Sequence, residues 1–149
     1  MNVLLLALAA IVLCLLAQVA TIFMAIRYFS YITTRKSRLG AVVGGFLRIS
    51  NFMIVLMVGV ILQVAVWAAL YVLLDLFDDV ETALYFSGVT FTSLGYGEIV
   101  LPKGVRMLAP IEAATGLLMF GITTAVLIGA MQYGLKATSE ETRAKRRKR

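Results

Sequence analysis

The sequence predicts an all-α membrane protein with three transmembrane helices and a short re-entrant helix followed by an irregular loop. Three observations carry this reading. The 149 residues are 61% hydrophobic and only 15% charged, with a mean hydropathy of +0.94; a soluble domain averages roughly 45–50% apolar and about 25% charged residues. Three uncharged apolar stretches each reach the ~20 residues that cross a ~30 Å hydrocarbon core at ~1.5 Å per residue. Between the second and third lies an apolar segment too short to span, and after it the glycine-broken run Ser93-Leu94-Gly95-Tyr96-Gly97.

The first apolar stretch, Val3 to Ile26, defines an N-terminal transmembrane helix over residues 1–27. It is expected to be retained rather than cleaved as a leader, because its basic residues follow the apolar run instead of preceding it. Residues 28–48 read as a basic loop with Arg35, Lys36, Arg38 and Arg48, in which Gly40, Gly44 and Gly45 suggest turns, close packing or a short interfacial helix. An outer helix is expected over residues 49–74 and an inner helix over about 107–135. The stretch 136–149 is a basic tail ending Arg143, Lys145, Arg146, Arg147, Lys148 and Arg149. Cytoplasmic loops collect Lys and Arg, so both basic regions are expected inside and the N-terminus outside, in a multi-pass protein of the plasma or inner membrane. Tyr28, Phe29, Tyr31 and Tyr133 are expected at inner interfaces, and Trp67 and Tyr71 near the outer one.

With a single cysteine, Cys14, and no histidine, a disulfide framework within one chain is excluded and a zinc site disfavoured. No cofactor is expected. The basic tail suits anionic lipid headgroups, each basic residue contributing ~1 kcal/mol near such a surface. Nucleic acid is not an expected partner, since no folded domain accompanies the tail.

The short segment Thr82 to Thr92 gives ~16 Å of helix, about half the hydrocarbon core. Asp78, Asp79 and Glu81 stand at its start, where acids cap a helix and favour its positive end. Ser93 to Gly97, extended at ~3.3 Å per residue, climbs about as far back. Non-helical backbone at membrane depth is tolerated only inside protein or beside water, so this run must line something wet or ionic. Its Gly-x-Gly spacing permits positive φ at alternate residues, which turns successive carbonyls toward one side. A ring of such carbonyls can replace the hydration shell of a cation. One chain cannot form a ring, so an oligomer is required.

These residues resemble a known family. Thr92-Ser93-Leu94-Gly95-Tyr96-Gly97-Glu98 is similar to the selectivity filter of potassium channels, whose core is Thr-Val-Gly-Tyr-Gly. The segment "ALYFSGVTFT" resembles the family's pore helix, with Tyr85, Phe86 and Thr90 as filter support. The stretch "GVRMLAPIEAATGLLMFGITTAVL" resembles its inner helix, with Gly116 where a hinge glycine often sits. The resemblance implies a bacterial-type pore module over residues 49–135: outer helix 49–74, pore helix 82–92, filter 93–97 and inner helix about 107–135, with the N-terminal helix as an addition. It also implies a homotetramer that binds K+ through filter backbone carbonyls only, K+ being the permeant ion rather than a cofactor. Departures from the family pattern are Ser93 for Thr, Leu94 for Val, Phe86 for a common Trp, and Val89 where some members carry a buried acid.

Other residues admit two readings. Ser93 is expected to ligate the innermost ion and Thr92 to support the strand from behind, or both hydroxyls satisfy local backbone. Glu98 is a candidate for the outer mouth, where it joins Asp75, Asp78, Asp79 and Glu81 against Lys103 and Arg106. Glu112, an acid in apolar sequence, is expected to hydrogen-bond the pore helix or pair with Arg106; a gating or proton-sensing carboxylate is the other reading. Gly116 and Gly121 allow close packing, or Gly116 is a hinge. Leu117, Phe120, Thr124 and Ile128 share one helix face, which by resemblance lines the cavity and gate. Gln18 and Gln63 are expected to join the first two helices. The expected function is passive, potassium-selective conduction; the alternatives are a non-selective cation channel or a non-conducting membrane assembly subunit. No residue set for enzyme chemistry is present.

Overall fold

The computed structural model describes residues 3–34 and 41–147, with side chains within 3–31 and 43–134. Among these residues the chain forms four helices and no strand: α1 (Val3–Thr34), α2 (Ala41–Leu73), α3 (Val80–Phe91) and α4 (Leu108–Arg147). Helices α1, α2 and α4 are each long and apolar enough to cross a membrane. Arg35, Lys36, Arg38, Gly40, Lys148 and Arg149 lie outside the described residues, as do the side chains of the basic stretch that ends α4.

The helices run further than the apolar stretches that announce them. The expected loop 28–48 is helical at both ends, since α1 continues to Thr34 and α2 begins at Ala41. Gly44 and Gly45 therefore lie inside α2, and the tail after residue 135 continues α4. The reason is that apolar length measures the depth of hydrocarbon crossed, whereas a helix continues wherever its backbone bonds close and no breaker intervenes.

Helix α1 packs along α2 and also reaches α4. The interface works because Gly59 of α2 has no side chain: a Cβ there would overlap the Thr21 side chain of α1. One polar contact crosses three helices. Gln63 of α2 donates through Nε2 to Gln18 Oε1 of α1 (2.7 Å), and Gln18 Nε2 donates to Thr123 Oγ1 of α4 (2.9 Å). The expected Gln18–Gln63 contact is therefore present and reaches one helix further. Between apolar helices in lipid, packing and such hydrogen bonds replace the hydrophobic effect as the source of association. Cys14 is buried in this interface, so it is a packing residue.

Aromatic rings close both ends of the bundle. Phe29 of α1 meets Phe52 of α2 edge-on, with ring centroids 5.5 Å apart. At the opposite end, Tyr71, Phe77 and Phe86 form a triangle of 5.2–6.0 Å centroid separations that joins α2, the α2–α3 turn and α3. Two expectations change here. Trp67 and Tyr71 are fully buried core residues rather than members of an interfacial belt, because α3 folds back over that end of α2. Phe29 is likewise core, whereas Tyr28, Tyr31 and Tyr133 are exposed.

Helix α3 is wedged between α2 and α4. The approach to α4 is closest at Gly116, where an added Cβ would overlap the backbone carbonyl of Phe91. Gly121, one turn and more along α4, meets nothing comparable. Close packing is therefore what Gly116 provides, and α4 runs unbroken through it. Gly116→Ala is expected to force α4 away from the end of α3. Backbone cannot yield as a flexible side chain does, so the cost should be about 1–3 kcal/mol, read as a lower thermal midpoint of the purified protein. Gly121→Ala should leave the midpoint unchanged.

Candidate functional site

The site is the hairpin made by α3 and the loop that follows it. Its geometry begins at Asp79, which is extended (φ −133°, ψ 152°) and caps α3. Oδ1 accepts from the Thr82 backbone N–H and Oδ2 from the Thr82 hydroxyl, both at 2.7 Å. These bonds hold the Asp79 carboxyl below the usual carboxylate range. Of the two aspartates expected as caps, Asp79 fills the position.

The end of α3 sets the loop. Ser93 N–H donates to Thr90 O and Leu94 N–H to Val89 O, both at 2.9 Å. With Ser93 at φ +59°, this is the Schellman arrangement in which one left-handed residue satisfies the last helical carbonyls. Glycine usually takes that position; a serine there costs about 1–2 kcal/mol. Gly95 N–H adds a longer bond to Val89 O (3.3 Å). The same device ends α2, where Asp75 has φ +50°, Asp75 N–H donates to Val72 O, and Leu76 N–H donates to Tyr71 O.

Beyond the cap the loop alternates. Ser93, Gly95 and Gly97 have φ of +59°, +56° and +84°, and neither Leu94 nor Tyr96 between them is positive. This is the alternation expected from the glycine spacing, extended one residue to Ser93. The Leu94 and Tyr96 side chains are 56% and 66% exposed in the single chain.

The other expected site residues divide by what they touch. Tyr85 donates through its hydroxyl to Glu98 Oε1 (2.6 Å), tying α3 to the residue just past the loop. Phe86 is buried against Tyr71 and Phe77 and anchors α3 to α2. Thr90 contributes its carbonyl to the cap. The Thr92 hydroxyl turns back to Gly88 O (2.7 Å), so it satisfies local backbone, one of its two expected readings. On α4, Leu117, Thr124 and Ile128 are exposed, while Phe120 packs on Phe91 at 5.9 Å. The Thr124 hydroxyl bonds Phe120 O within its own helix. A cleft of about 470 Å³ lies beside the loop, lined by Tyr85, Val89, Ser93, Glu98, Arg106 and Pro110 among others.

Glu112 is fully buried. It does not pair with Arg106, whose Nε donates to Leu101 O (2.9 Å). Its two oxygens instead meet the hydroxyls of Tyr71 on α2 and Ser87 on α3, both at 2.5 Å. The expected hydrogen bond to the short helix is thus found, together with a second one from α2. Sequence reasoning missed Ser87 and Tyr71 as its partners. A signal existed for Ser87, a small hydroxyl on the apolar face of a short helix; none existed for Tyr71, which reads as an interfacial aromatic.

A family model described as ion channel matches residues 57–133, more than half of the chain. The chain belongs to this ion-channel family. The match runs from the second half of α2 through α3 and its loop to α4, so it covers the hairpin just described and leaves α1 outside. No curated protein and no solved structure gives a significant match. The matched region contains the exposed loop with positive φ at Ser93, Gly95 and Gly97.

The cap at Asp79 has a pH signature of known sign. A carboxyl held below its ordinary value contributes stability above that value, about pH 4, and the contribution is lost as pH falls through the depressed one. Asp79→Ala should lower the thermal midpoint at neutral pH and flatten its acid-side fall. Asp79→Asn, which keeps an acceptor for Thr82, should retain more stability while showing the same flattening. Circular-dichroism melts across a pH series distinguish the two variants.

Proposed function

We propose that this ion-channel family member conducts potassium selectively and passively through a homotetrameric pore. The observation that carries the reading is the alternation of positive φ at Ser93, Gly95 and Gly97. A strand of constant φ sign points successive carbonyls to opposite sides, whereas alternation brings them to one side. Four chains around an axis then present rings of carbonyl oxygens in place of a hydration shell. Thr92 to Gly97 form the filter in this reading, and ligation of K+ is by backbone carbonyls, with the Ser93 hydroxyl at the innermost position. Exposed Leu94, Tyr96 and the Leu117–Thr124–Ile128 face of α4 belong against neighbouring subunits or the water-filled cavity.

The basic residues between the first two spans and at the end of α4 support a reading in which those ends face the cytoplasm and the Asp75–Arg106 segment faces the outside of the cell membrane. The acids of that segment then form a mouth that concentrates cations, with Glu98 nearest the filter. Anionic lipid at the basic end of α4 fits the same orientation. Helix α1, held by Gln18, sits at the periphery of this pore.

Two experiments test the reading. Purified protein in liposomes should pass potassium in preference to sodium, and Gly95→Ala should abolish that preference, because a Cβ penalises positive φ and turns a carbonyl out of line. Selectivity unchanged in Gly95→Ala would sink the filter assignment. Glu98→Gln should reduce conductance more at low ionic strength than at high, since the Debye length is ~10 Å at 0.1 M salt. Tyr85→Phe, which removes the hydroxyl bonded to Glu98 but no charge, should weaken the filter equally at both salt levels.

A further inference from the structure

The junction of α2, α3 and α4 contains a proton count that only one arrangement satisfies. Ser87 Oγ lies 2.8 Å from Val64 O and 2.5 Å from Glu112 Oε1. A serine hydroxyl has one hydrogen. A backbone carbonyl only accepts, so the 2.8 Å contact with Val64 O can be a hydrogen bond only if Ser87 supplies that hydrogen. Tyr71 supplies its own proton to Glu112 Oε2. If Glu112 were ionised, Ser87 would have to choose between its two neighbours, and one pair of oxygens would face each other without a hydrogen. The group would also be an anion, fully buried, whose hydrogen-bond partners are two neutral hydroxyls. Both conditions are costly away from water. If Glu112 carries a proton on Oε1, each contact has one: Glu112 donates to Ser87, Ser87 to Val64 O, and Tyr71 to Glu112.

We propose that Glu112 is a neutral carboxylic acid that acts as a positioning residue for the filter, pinning α3 to α2 from α4. The titratable groups facing it are Tyr71 from α2 and, further off, the Cys14 thiol from α1, with the Ser87 hydroxyl from α3. Ser87 stands two residues before Val89, whose carbonyl receives the N–H groups of both Leu94 and Gly95. A slide or rotation of α3 at Ser87 therefore moves the acceptor that sets the start of the loop. Glu112 sits one turn before Gly116, the closest approach of α4 to α3, so the acid and the glycine fix the same contact by hydrogen bond and by fit. This role rests on reading Ser93 to Gly97 as the filter; the protonation itself does not.

The full-length protein tests both parts. A glutamine at 112 reproduces the neutral acid: its carbonyl accepts from Tyr71 and its amide N–H donates to Ser87. Glu112→Gln should keep the thermal midpoint and hold potassium flux within about twofold of the wild type. Glu112→Leu leaves Tyr71 and Ser87 without their partner and should cut flux about tenfold. Ser87→Ala, a smaller change, should cut flux by more than about twofold and less than about tenfold, and carries the test if Glu112→Leu does not assemble. Infrared difference spectra of wild type against Glu112→Gln should show loss of a protonated-carboxyl carbonyl band and no change in carboxylate bands. Loss of a carboxylate band instead, or Glu112→Gln behaving as badly as Glu112→Leu, would overturn the neutral acid. Wild-type flux in Ser87→Ala, and in Glu112→Leu where it assembles, would overturn the positioning role. Failure of the wild type to prefer potassium over sodium would overturn the filter reading, while the infrared band and the order of melting midpoints would still report on Glu112.

Discussion

Backbone that leaves helical geometry at membrane depth must find partners for its N–H and C=O groups within the protein. Much of this structure follows from how the end of α3 meets that demand. The Schellman cap at Thr92–Leu94 consumes the last carbonyls of α3 and delivers the chain into the loop with Ser93 already left-handed. The alternation that continues through Gly95 and Gly97 starts from that residue. The loop conformation is therefore an extension of a helix cap rather than a separate motif.

The cap is useful only if α3 is held in place, and three different contacts hold it. Phe86 locks it to Tyr71 and Phe77 by ring packing. Gly116 lets α4 reach the Phe91 carbonyl. The Tyr71–Glu112–Ser87 cluster joins all three helices at one point. Van der Waals packing between smooth apolar helices has little directional preference, and polar groups away from water add the direction. A second polar cluster, Gln18–Gln63–Thr123, does the same for α1 on another part of the bundle. Helix α1 is thereby bonded directly to α4, the helix that exposes Leu117, Thr124 and Ile128.

Much of this architecture is written in the sequence. Three spans, a half-length helix and a glycine-broken loop follow from hydrocarbon thickness and helix rise, which are properties of the solvent and the backbone rather than of the particular packing. Asp79 as a cap, alternating φ in the loop, and Gln18 beside Gln63 were legible because each depends on local chemistry or on the rarity of a polar residue in lipid. Helix ends were less legible, because hydropathy stops at the interface while α1, α2 and α4 do not. The left-handed Ser93 and Asp75 were hidden too, since neither residue type advertises that conformation as glycine does.

What the sequence by itself determined is which stretches are long and apolar enough to cross a membrane, where the charges fall around them, and where glycines break the helical pattern. Tertiary structure alone decided which faces meet. Tyr71 and Trp67 are core because α3 folds over them, and Gly116 is a packing residue because the Phe91 carbonyl approaches it. Glu112 found Tyr71 and Ser87 instead of Arg106. In a chain that is apolar almost everywhere, hydropathy places a residue at a depth but scarcely distinguishes one side of a helix from another. The partners of a buried hydroxyl or carboxyl are set by rotation and register, which only the packed helices fix.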